Sequence, residues 1–116
     1  MAAATVTVSV VDTWFDGKYL HVIATLAIQA NPATYVTGGL TVNLNDPKIK
    51  AQRAPKYVDV TSQSGNLYAF IAGSNNTNGL LKLFSAVNTE VGNGVAIPAA
   101  NSGDTITCEF YFLGQN

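Results

Sequence analysis

Histidine and cysteine are the side chains that most often carry acid–base and nucleophilic catalysis near neutral pH. This chain has one of each, His21 and Cys108, and neither stands in a recognisable catalytic motif. His21 lies on the mixed face of an alternating segment, which indicates a partly exposed strand histidine. Cys108 alternates with Ile106 and Phe110, which indicates a small core side chain. We therefore expect no catalytic residues and no enzymatic activity.

Oxygen ligands for a hard metal ion are also sparse. Asp12 and Asp16 stand around the first predicted turn, and Asn45 and Asp46 stand in a later one. A calcium loop needs several oxygens in close register, and neither stretch supplies them. The pair Gly38-Gly39 precedes a strand pattern instead of a helix, so it does not have the form of a phosphate-binding loop. We predict neither a metal nor a cofactor, and we assign these residues to turns.

The charge balance argues against a dedicated nucleic-acid-binding protein. The 116 residues carry 6 basic and 7 acidic side chains, for a net charge of −1, and charged residues make up 11% of the chain. Binding to phosphates needs a strong basic footprint, which this balance lacks. Soluble proteins average about 25% charged residues. A surface with so little electrostatic repulsion suits a protein that packs against other subunits.

Most of the basic residues form one short run, which consists of Lys48, Lys50, Arg53 and Lys56. Two interpretations of the run remain open: a solvated edge protected against strand-to-strand aggregation, or a contact with an acidic partner surface. No aromatic residues interleave the run, so we predict no direct contact with nucleic acid.

Cysteine usage and targeting patterns bear on location. A single cysteine cannot form an intramolecular disulfide. Residues 1–5 lack a basic region followed by an apolar stretch, and no apolar run approaches about 18 residues. We expect a protein that is made and kept in the cytosol until it joins a larger assembly, with no membrane partner.

Alternation of apolar and polar residues predicts the main strands. Residues 4–12 alternate valine with threonine or serine, and residues 105–113 alternate again and close the chain. Residues 18–30 form the longest strand, and we expect it to be central because its second face is also partly apolar. The Asp16-Gly17 dipeptide predicts a tight hairpin turn between the first two strands.

The remaining segments are shorter. A strand over residues 40–44 follows the paired glycines, and a second hairpin is predicted over residues 57–72. Residues 48–56 indicate a short extended or edge segment. Residues 80–86 fit either a strand or one helical turn, and residues 87–104 indicate a loop that carries one short strand.

Short strands with frequent turn signals, and no convincing amphipathic helix, predict an all-β fold. We expect a single β domain over residues 1–116. Its architecture is predicted to be one antiparallel β-sandwich or jelly-roll-like barrel with long Asn/Gly-rich loops.

Two large aromatic residues, Trp14 and Phe15, stand at the tip of the first predicted hairpin. Aromatic side chains in a turn either fold back over the core or are offered to a partner, since partner surfaces favour Trp, Tyr and Phe as anchors. Both interpretations remain open at this point.

The stretch Tyr35-Val36-Thr37-Gly38-Gly39 is a paired-glycine turn that leads into an alternating strand. It follows an N-terminal strand and the long strand of residues 19–28, and it precedes a tyrosine-containing hairpin over residues 58–72. Ser102-Gly103-Asp104 then introduces the closing strand. This layout spans nearly the whole chain and resembles that of the small β-rich structural proteins encoded in the virion modules of tailed bacteriophages.

The resemblance implies a capsid decoration (cement) protein or a similar minor head protein. Such a protein binds in many copies to the outside of a shell of major capsid protein and bridges neighbouring capsomers by non-covalent contacts. The implied partners are therefore the major capsid protein and further copies of this chain, as a trimer or dimer. The implied location is the capsid surface of a virion assembled in the host cytoplasm.

The candidate contacts to the capsid or another partner are Trp14, Phe15, Lys48, Lys50, Arg53 and Lys56. Thr37, Gly38 and Gly39 are assigned to a structural turn. The alternative function is a carbohydrate-binding or receptor-binding β-sandwich module of a phage fibre or tail. It is motivated by the Asn-rich loops and by the expectation that Trp14, Tyr19 and Tyr35 are exposed.

Overall fold

The computed structural model describes residues 3–30, 32–46, 49, 53–84 and 89–113. Within these ranges the chain forms seven strands and one short helix. In chain order they are β1 (Val6–Phe15), β2 (Tyr19–Ile28), β3 (Leu40–Val42), β4 (Tyr57–Ser62), β5 (Tyr68–Ile71), β6 (Gly79–Leu83), α1 (Ala99–Ser102) and β7 (Ile106–Leu113). No helix in the described ranges has the length and apolar composition that a bilayer crossing requires.

The strands form two antiparallel sheets that pack face to face. The larger sheet has four strands in the order β1-β2-β7-β4, and the smaller one has three in the order β3-β6-β5. The prediction of an all-β sandwich is therefore confirmed. The long second strand is central, as predicted, because it pairs with β1 on one side and β7 on the other.

The core lies between the two sheets and follows the period of two that the sequence displays. On β7 the alternate residues Ile106, Cys108, Phe110 and Phe112 are fully buried. They pack with apolar side chains of β2, β3 and β6, which are Val22, Ala24, Leu26, Ile28, Leu40, Val42, Leu81 and Leu83. Cys108 is thus a core side chain, as its spacing predicted.

A β-bulge changes which side chains of β1 face outward. The register of β1 against β2 shifts between Val10 and Asp12, which leaves Val11 64% exposed. Because side chains alternate along a strand, one extra residue reverses the alternation beyond it. Thr13 then lies opposite the core residue Val22, and Trp14 lies on the other face. The predicted strand of residues 4–12 accordingly continues to Phe15.

The predicted second hairpin is wrong in its pairing. The turn lies where the sequence placed it, with Gly65 at a φ of 81°. However, β4 pairs with β7 and β5 pairs with β6, so the turn carries the chain from one sheet to the other. The reason is that each strand finds its partner elsewhere in the chain, which a local turn signal does not encode.

Four shorter segments differ from the expectations or resolve them. The strand after the paired glycines is only three residues long. In the segment of residues 80–86, which fitted either a strand or one helical turn, residues 80–83 belong to the strand β6. In place of a short strand, the stretch before β7 contains α1 and isolated bridges at Glu90 and Ala96. Of the expected edge segment, Arg53 to Lys56 form no strand, and most of residues 47–52 lie outside the described residues.

Candidate functional site

The outer face of the four-stranded sheet, the side turned away from the core, carries a row of four rings. Each strand contributes one of them. Trp14 of β1 lies opposite His21 of β2, His21 lies opposite Tyr111 of β7, and Tyr111 lies opposite Tyr57 of β4. This aromatic row therefore crosses the sheet from one edge to the other.

The rings of the aromatic row are in mutual contact. The ring centroids of Trp14 and His21 are 4.8 Å apart with an angle of 2° between the planes, so the two rings are stacked. The His21 and Tyr111 rings meet edge to face at 4.5 Å, and Tyr111 and Tyr57 do so at 5.3 Å. The interior of the row is packed, whereas its two ends are open, with Trp14 40% and Tyr57 60% exposed.

His21 is buried, with 9% of its surface exposed, so the prediction of a partly exposed histidine is wrong. Its ring lies between Trp14 and Tyr111, and its Nε2 atom donates a hydrogen bond of 2.7 Å to Oδ2 of Asp16. Its Nδ1 atom has no hydrogen-bond partner and lies 3.6 Å from Oε2 of Glu109. A residue that sequence reasoning treated as a turn former, Asp16, thus also orients the histidine.

Asp16 closes the β1–β2 turn with its side chain. Its Oδ1 atom accepts hydrogen bonds from the backbone N–H groups of Lys18 at 2.9 Å and Tyr19 at 2.7 Å. The hydrogen bond from His21, followed by those from Tyr19 and Lys18, holds the pKa of Asp16 well below its ordinary value. The carboxylate therefore stays ionised, and its hydrogen bonds connect the β1–β2 turn to His21 of the aromatic row.

A row of carboxylates lies beside the aromatic row. Glu109 of β7 is directly opposite Asp59 of β4, and Asp12 of β1 is separated from Glu109 by Ile23. Within the described part of the chain, none of these three carboxylates forms an ion pair with a lysine or arginine. Like charges at directly opposite positions of two strands destabilise a sheet, so this arrangement is costly in the free protein.

A third row on the same face is neutral. It is formed by the hydroxyl residues Ser9, Thr25, Thr107 and Thr61, which lie opposite one another across the four strands. The outer face thus presents rings, carboxylates and hydroxyl groups in successive rows. This arrangement suits non-covalent contact with a broad partner surface.

The two residues with catalytic potential lie on opposite faces of the sheet. Cys108 points into the core and His21 lies on the outer face, so they do not form a nucleophile and base pair. Burial, with a contribution from the charge of Asp59, raises the pKa of the Cys108 thiol to about 12. Among the described residues, no group of three or more His, Cys, Asp and Glu side chains is placed to hold a metal ion.

The structure brings some of the predicted partner contacts together. Trp14 and Phe15 end β1, and both are exposed. Lys56 directly precedes Tyr57, and its backbone N–H donates a hydrogen bond of 2.7 Å to the backbone carbonyl oxygen of Tyr111. Lys56 therefore lies at the same end of the four-stranded sheet as Trp14 and Phe15. Arg53 is exposed. Lys48 and Lys50 lie outside the described residues.

The paired-glycine turn is anchored by a carboxylate that sequence reasoning missed. The hydroxyl of the fully buried Tyr35 donates a hydrogen bond of 2.6 Å to Oε2 of Glu90, and the same oxygen accepts the Gly38 N–H at 2.8 Å. The Thr37 N–H donates to Oδ1 of Asn93 at 3.2 Å. Burial, reinforced by the bond to Glu90, raises the pKa of Tyr35. The expectation that Tyr35 is exposed is therefore wrong.

A buried carboxylate, Asp104, joins the turn after β4 to the start of β7. It accepts hydrogen bonds from the Ser62 hydroxyl, from the Tyr68 hydroxyl at 2.8 Å and from the Asn66 amide at 3.1 Å. Burial opposes its ionisation, but these hydrogen bonds outweigh burial and lower the pKa of Asp104 to about 2. The only signal in the sequence was its position after Ser102-Gly103, which marks a turn.

A groove of about 440 Å³ lies between the start of β1 and the segment that contains β3. Its walls contain no charged side chain; they are formed by Ala3, Ala4, Thr5, Val6, Val36, Thr37, Gly39, Leu40, Thr41, Asn43 and Leu80. Its polar residues are Thr5, Thr37, Thr41 and Asn43, so it lacks the charged or titratable group that often fixes a ligand in such a site. The outer face of the four-stranded sheet is the stronger candidate because it combines apolar surface with charge.

No family model, curated protein or solved structure gives a significant match to this chain. The candidate site is therefore defined by the geometry of the outer face alone. Its distinguishing features are the aromatic row with exposed ends and the adjacent carboxylates.

Proposed function

We propose that this protein is a structural component of a virus particle, a decoration (cement) protein that binds a shell of major capsid protein. The outer face of the four-stranded sheet is the proposed capsid-binding surface. The observation that carries the proposal is the aromatic row, because it holds large rings at the surface and leaves Trp14 and Tyr57 exposed at its ends. Tyrosine and tryptophan are the residues most enriched among the energetic anchors of protein interfaces.

The low charge of the chain supports the same proposal. With 11% charged residues, the protein has little electrostatic repulsion between copies or against a partner. The hydroxyl row of the outer face adds neutral polar groups that hydrogen-bond at an interface without the desolvation cost of a charge. The layout around Tyr35-Val36-Thr37-Gly38-Gly39, which resembles that of phage virion proteins, supplies the specific partner in the proposal.

The size of the outer face sets the strength expected of one contact. Four strands spaced about 4.8 Å apart, with about eight residues of about 3.3 Å each, present an area of about 500 Å². A stable interface buries about 800 Å² per partner, so one outer face provides somewhat less than that. In a decorated shell the protein binds in many copies, and contacts between neighbouring copies add the buried area that one outer face does not provide.

The alternative, a carbohydrate-binding module, has weaker support. A sugar ring stacks on an aromatic face that is free, but one face of Trp14 is covered by His21. Tyr35, one of the three aromatic residues that motivated the alternative, is buried and hydrogen-bonded to Glu90. Among the described residues, the exposed aromatic side chains that a glycan could reach are Trp14, Phe15 and Tyr57.

The proposal is tested by adding the purified protein to capsids that lack it and measuring co-sedimentation. We expect saturable binding with a fixed number of copies per shell. The Trp14→Ala/Tyr57→Ala double variant should bind about 100-fold more weakly, because each anchor contributes roughly 1–2 kcal/mol. Leu67→Ala is the matched control, since Leu67 is 50% exposed but lies outside the four-stranded sheet.

Two results would contradict the proposal. One is the absence of saturable binding by the unaltered protein. The other is binding by the double variant that equals that of Leu67→Ala, with both variants shown by circular dichroism to be folded. Binding on a glycan array that is lost in Trp14→Ala would instead favour the carbohydrate-binding alternative.

A further inference from the structure

The two strands β4 and β7 place two rings and two carboxylates in one compact block on the outer face. Tyr57 lies opposite Tyr111, and two positions further along the strands Asp59 lies opposite Glu109. Opposite side chains start about 5 Å apart and those two positions apart about 7 Å, so the four groups share one small patch. We call this patch the Tyr-carboxylate block.

No lysine or arginine of the described ranges balances the charges of the block, and the basic side chain beside Glu109 is His21. Neither Asp59 nor Glu109 has a lysine or arginine within ion-pairing distance in the described ranges. Two carboxylates at directly opposite positions repel each other, and a bound cation would turn this repulsion into attraction. The block therefore has the charge of a receptor for a cationic group.

A buried nitrogen points to the same block. His21 is nine-tenths buried, and its Nδ1 atom, which has no hydrogen-bond partner, faces Oε2 of Glu109 at 3.6 Å. Because Asp16 holds the opposite side of the imidazole at 2.7 Å, the ring cannot turn away without losing that bond. The His21 ring beside Glu109 is thus held in one orientation.

The rings favour a planar cation. Tyr57 is 60% exposed and meets Tyr111 edge to face, with centroids 5.3 Å apart and planes at 74°. A guanidinium group can lie against a tyrosine face and direct its N–H groups to carboxylates at the same time. An ammonium group is a compact, strongly hydrated charge. It cannot lie flat against a tyrosine ring while it directs its N–H groups to two carboxylates.

We propose that the Tyr-carboxylate block is a recognition site for an arginine side chain on the partner protein. This inference deepens the proposed function and rests on it for the role of the outer face. The guanidinium would lie against Tyr57 and form charge-assisted hydrogen bonds to Asp59 and Glu109. The partner surface is accordingly expected to present an exposed arginine flanked by apolar residues.

The site is tested by nuclear magnetic resonance titration of the isotope-labelled protein with three short peptides. All three have the same valine and glycine framework and differ at one position, which is arginine, lysine or the neutral analogue citrulline. We expect saturable shifts of backbone amides in β4 and β7 with the arginine peptide, and none with the citrulline peptide. The lysine peptide should bind at least about threefold more weakly.

Variants separate the block from the general negative charge of the face. Asp59→Asn/Glu109→Gln should weaken binding of the arginine peptide about tenfold, which corresponds to two exposed charge-assisted contacts. Asp12→Asn is the matched control, since it removes a carboxylate from the same face but outside the block, and it should change binding less than about twofold. Equal binding of the arginine and citrulline peptides, or of the arginine and lysine peptides, would overturn the proposal. So would equal losses in Asp12→Asn and the double variant.

Capsid binding distinguishes failure of this inference from failure of the proposed function. If Asp59→Asn/Glu109→Gln decorates capsids as well as the unaltered protein does, the arginine site is wrong and the decoration function stands. If the unaltered protein ignores capsids but discriminates between the peptides as described, the arginine site stands and the decoration function is wrong.

Discussion

Tyr35 and Glu90 are 55 positions apart in the chain, yet the phenol hydroxyl of one donates a hydrogen bond of 2.6 Å to the carboxylate of the other. The same carboxylate oxygen binds the backbone N–H of Gly38. Glu90 therefore holds the paired-glycine turn against the segment that follows β6. Hydrogen bonds from Tyr35 and Gly38 lower the pKa of Glu90, so the carboxylate remains a charged acceptor at neutral pH.

Removing the Tyr35 hydroxyl should weaken this connection. We expect Tyr35→Phe to lower the free energy of unfolding by about 1.5–3 kcal/mol, the usual contribution of a hydrogen bond to a charged group. Urea denaturation measures the change. Tyr57→Phe is the matched control, because Tyr57 is exposed, and it should change stability by less than about 0.5 kcal/mol. Equal stability of the two variants would contradict the role assigned to Glu90.

The two glycines of the turn should respond differently to alanine. Gly39 has a φ of 126°, and a Cβ atom there would lie 3.1 Å from the backbone carbonyl group of Leu81. Gly38 has a φ of 99°, but a Cβ atom there meets nothing within 4 Å. We expect Gly38→Ala to cost about 1 kcal/mol from backbone strain alone, and Gly39→Ala to cost at least about 2 kcal/mol because strain and contact add.

Thermal and urea unfolding of the two alanine variants provide the comparison. A Gly38→Ala protein that is less stable than Gly39→Ala would show that the close approach to Leu81 does not limit this turn.

Acid should destabilise the protein through Asp104. Its pKa is about 2 in the folded state, against an ordinary value of 3.8, so the unfolded chain takes up a proton first as the pH falls. The stability that Asp104 contributes is therefore complete above about pH 4 and is lost as the pH falls through 2, and it amounts to roughly 2 kcal/mol. Urea unfolding at successive pH values should show this loss.

Asp104→Asn keeps the size of the side chain and removes its titration. The variant should be less stable than the unaltered protein at pH 7, because the Ser62 and Tyr68 hydroxyls lose a charged acceptor. Its stability should also fall less between pH 4 and pH 2. Parallel pH profiles for the two proteins would refute the assignment.

The Cys108 thiol should be unreactive in the native protein. It is fully buried, and its pKa is raised to about 12, so both access and thiolate formation are suppressed. We expect a chromogenic disulfide reagent to label Cys108 at the rate at which the core opens, and immediately in denaturant. Rapid labelling under native conditions would show that β7 separates from its neighbours far more readily than a central strand should.

The strands that carry most of the core were predictable because period two is a local signal. The alternation of β1, β2 and β7 can be read from about ten residues each, and it identified Cys108 as a core residue. The bulge at Val11 was not predictable, since the valines continue through Val10 and Val11 without a break. That single residue determines whether Trp14 faces the core or the outer face.

The candidate site was not predictable as a site, although two of its residues had been singled out. Trp14, His21, Tyr111 and Tyr57 come together only through three strand registers, and no one segment of the sequence encodes those registers. The burial of His21 depends in addition on Asp16, whose proximity to glycine explains it equally well as a turn residue. The same limitation applies to the sheet-crossing turn after β4, which Asp104 holds from 42 positions away.

The position of β7 in its sheet has a consequence for biosynthesis. β7 is the last strand in chain order, but it lies between β2 and β4. Until residues 106–113 leave the ribosome, the edge of β2 that pairs with β7 has no partner. At 5–20 residues per second, the stretch from Ile28 to Ile106 takes roughly 4–16 s to synthesise. During these seconds the nascent chain exposes a strand edge that other chains can pair with, so its yield should depend on chaperones and on the speed of translation.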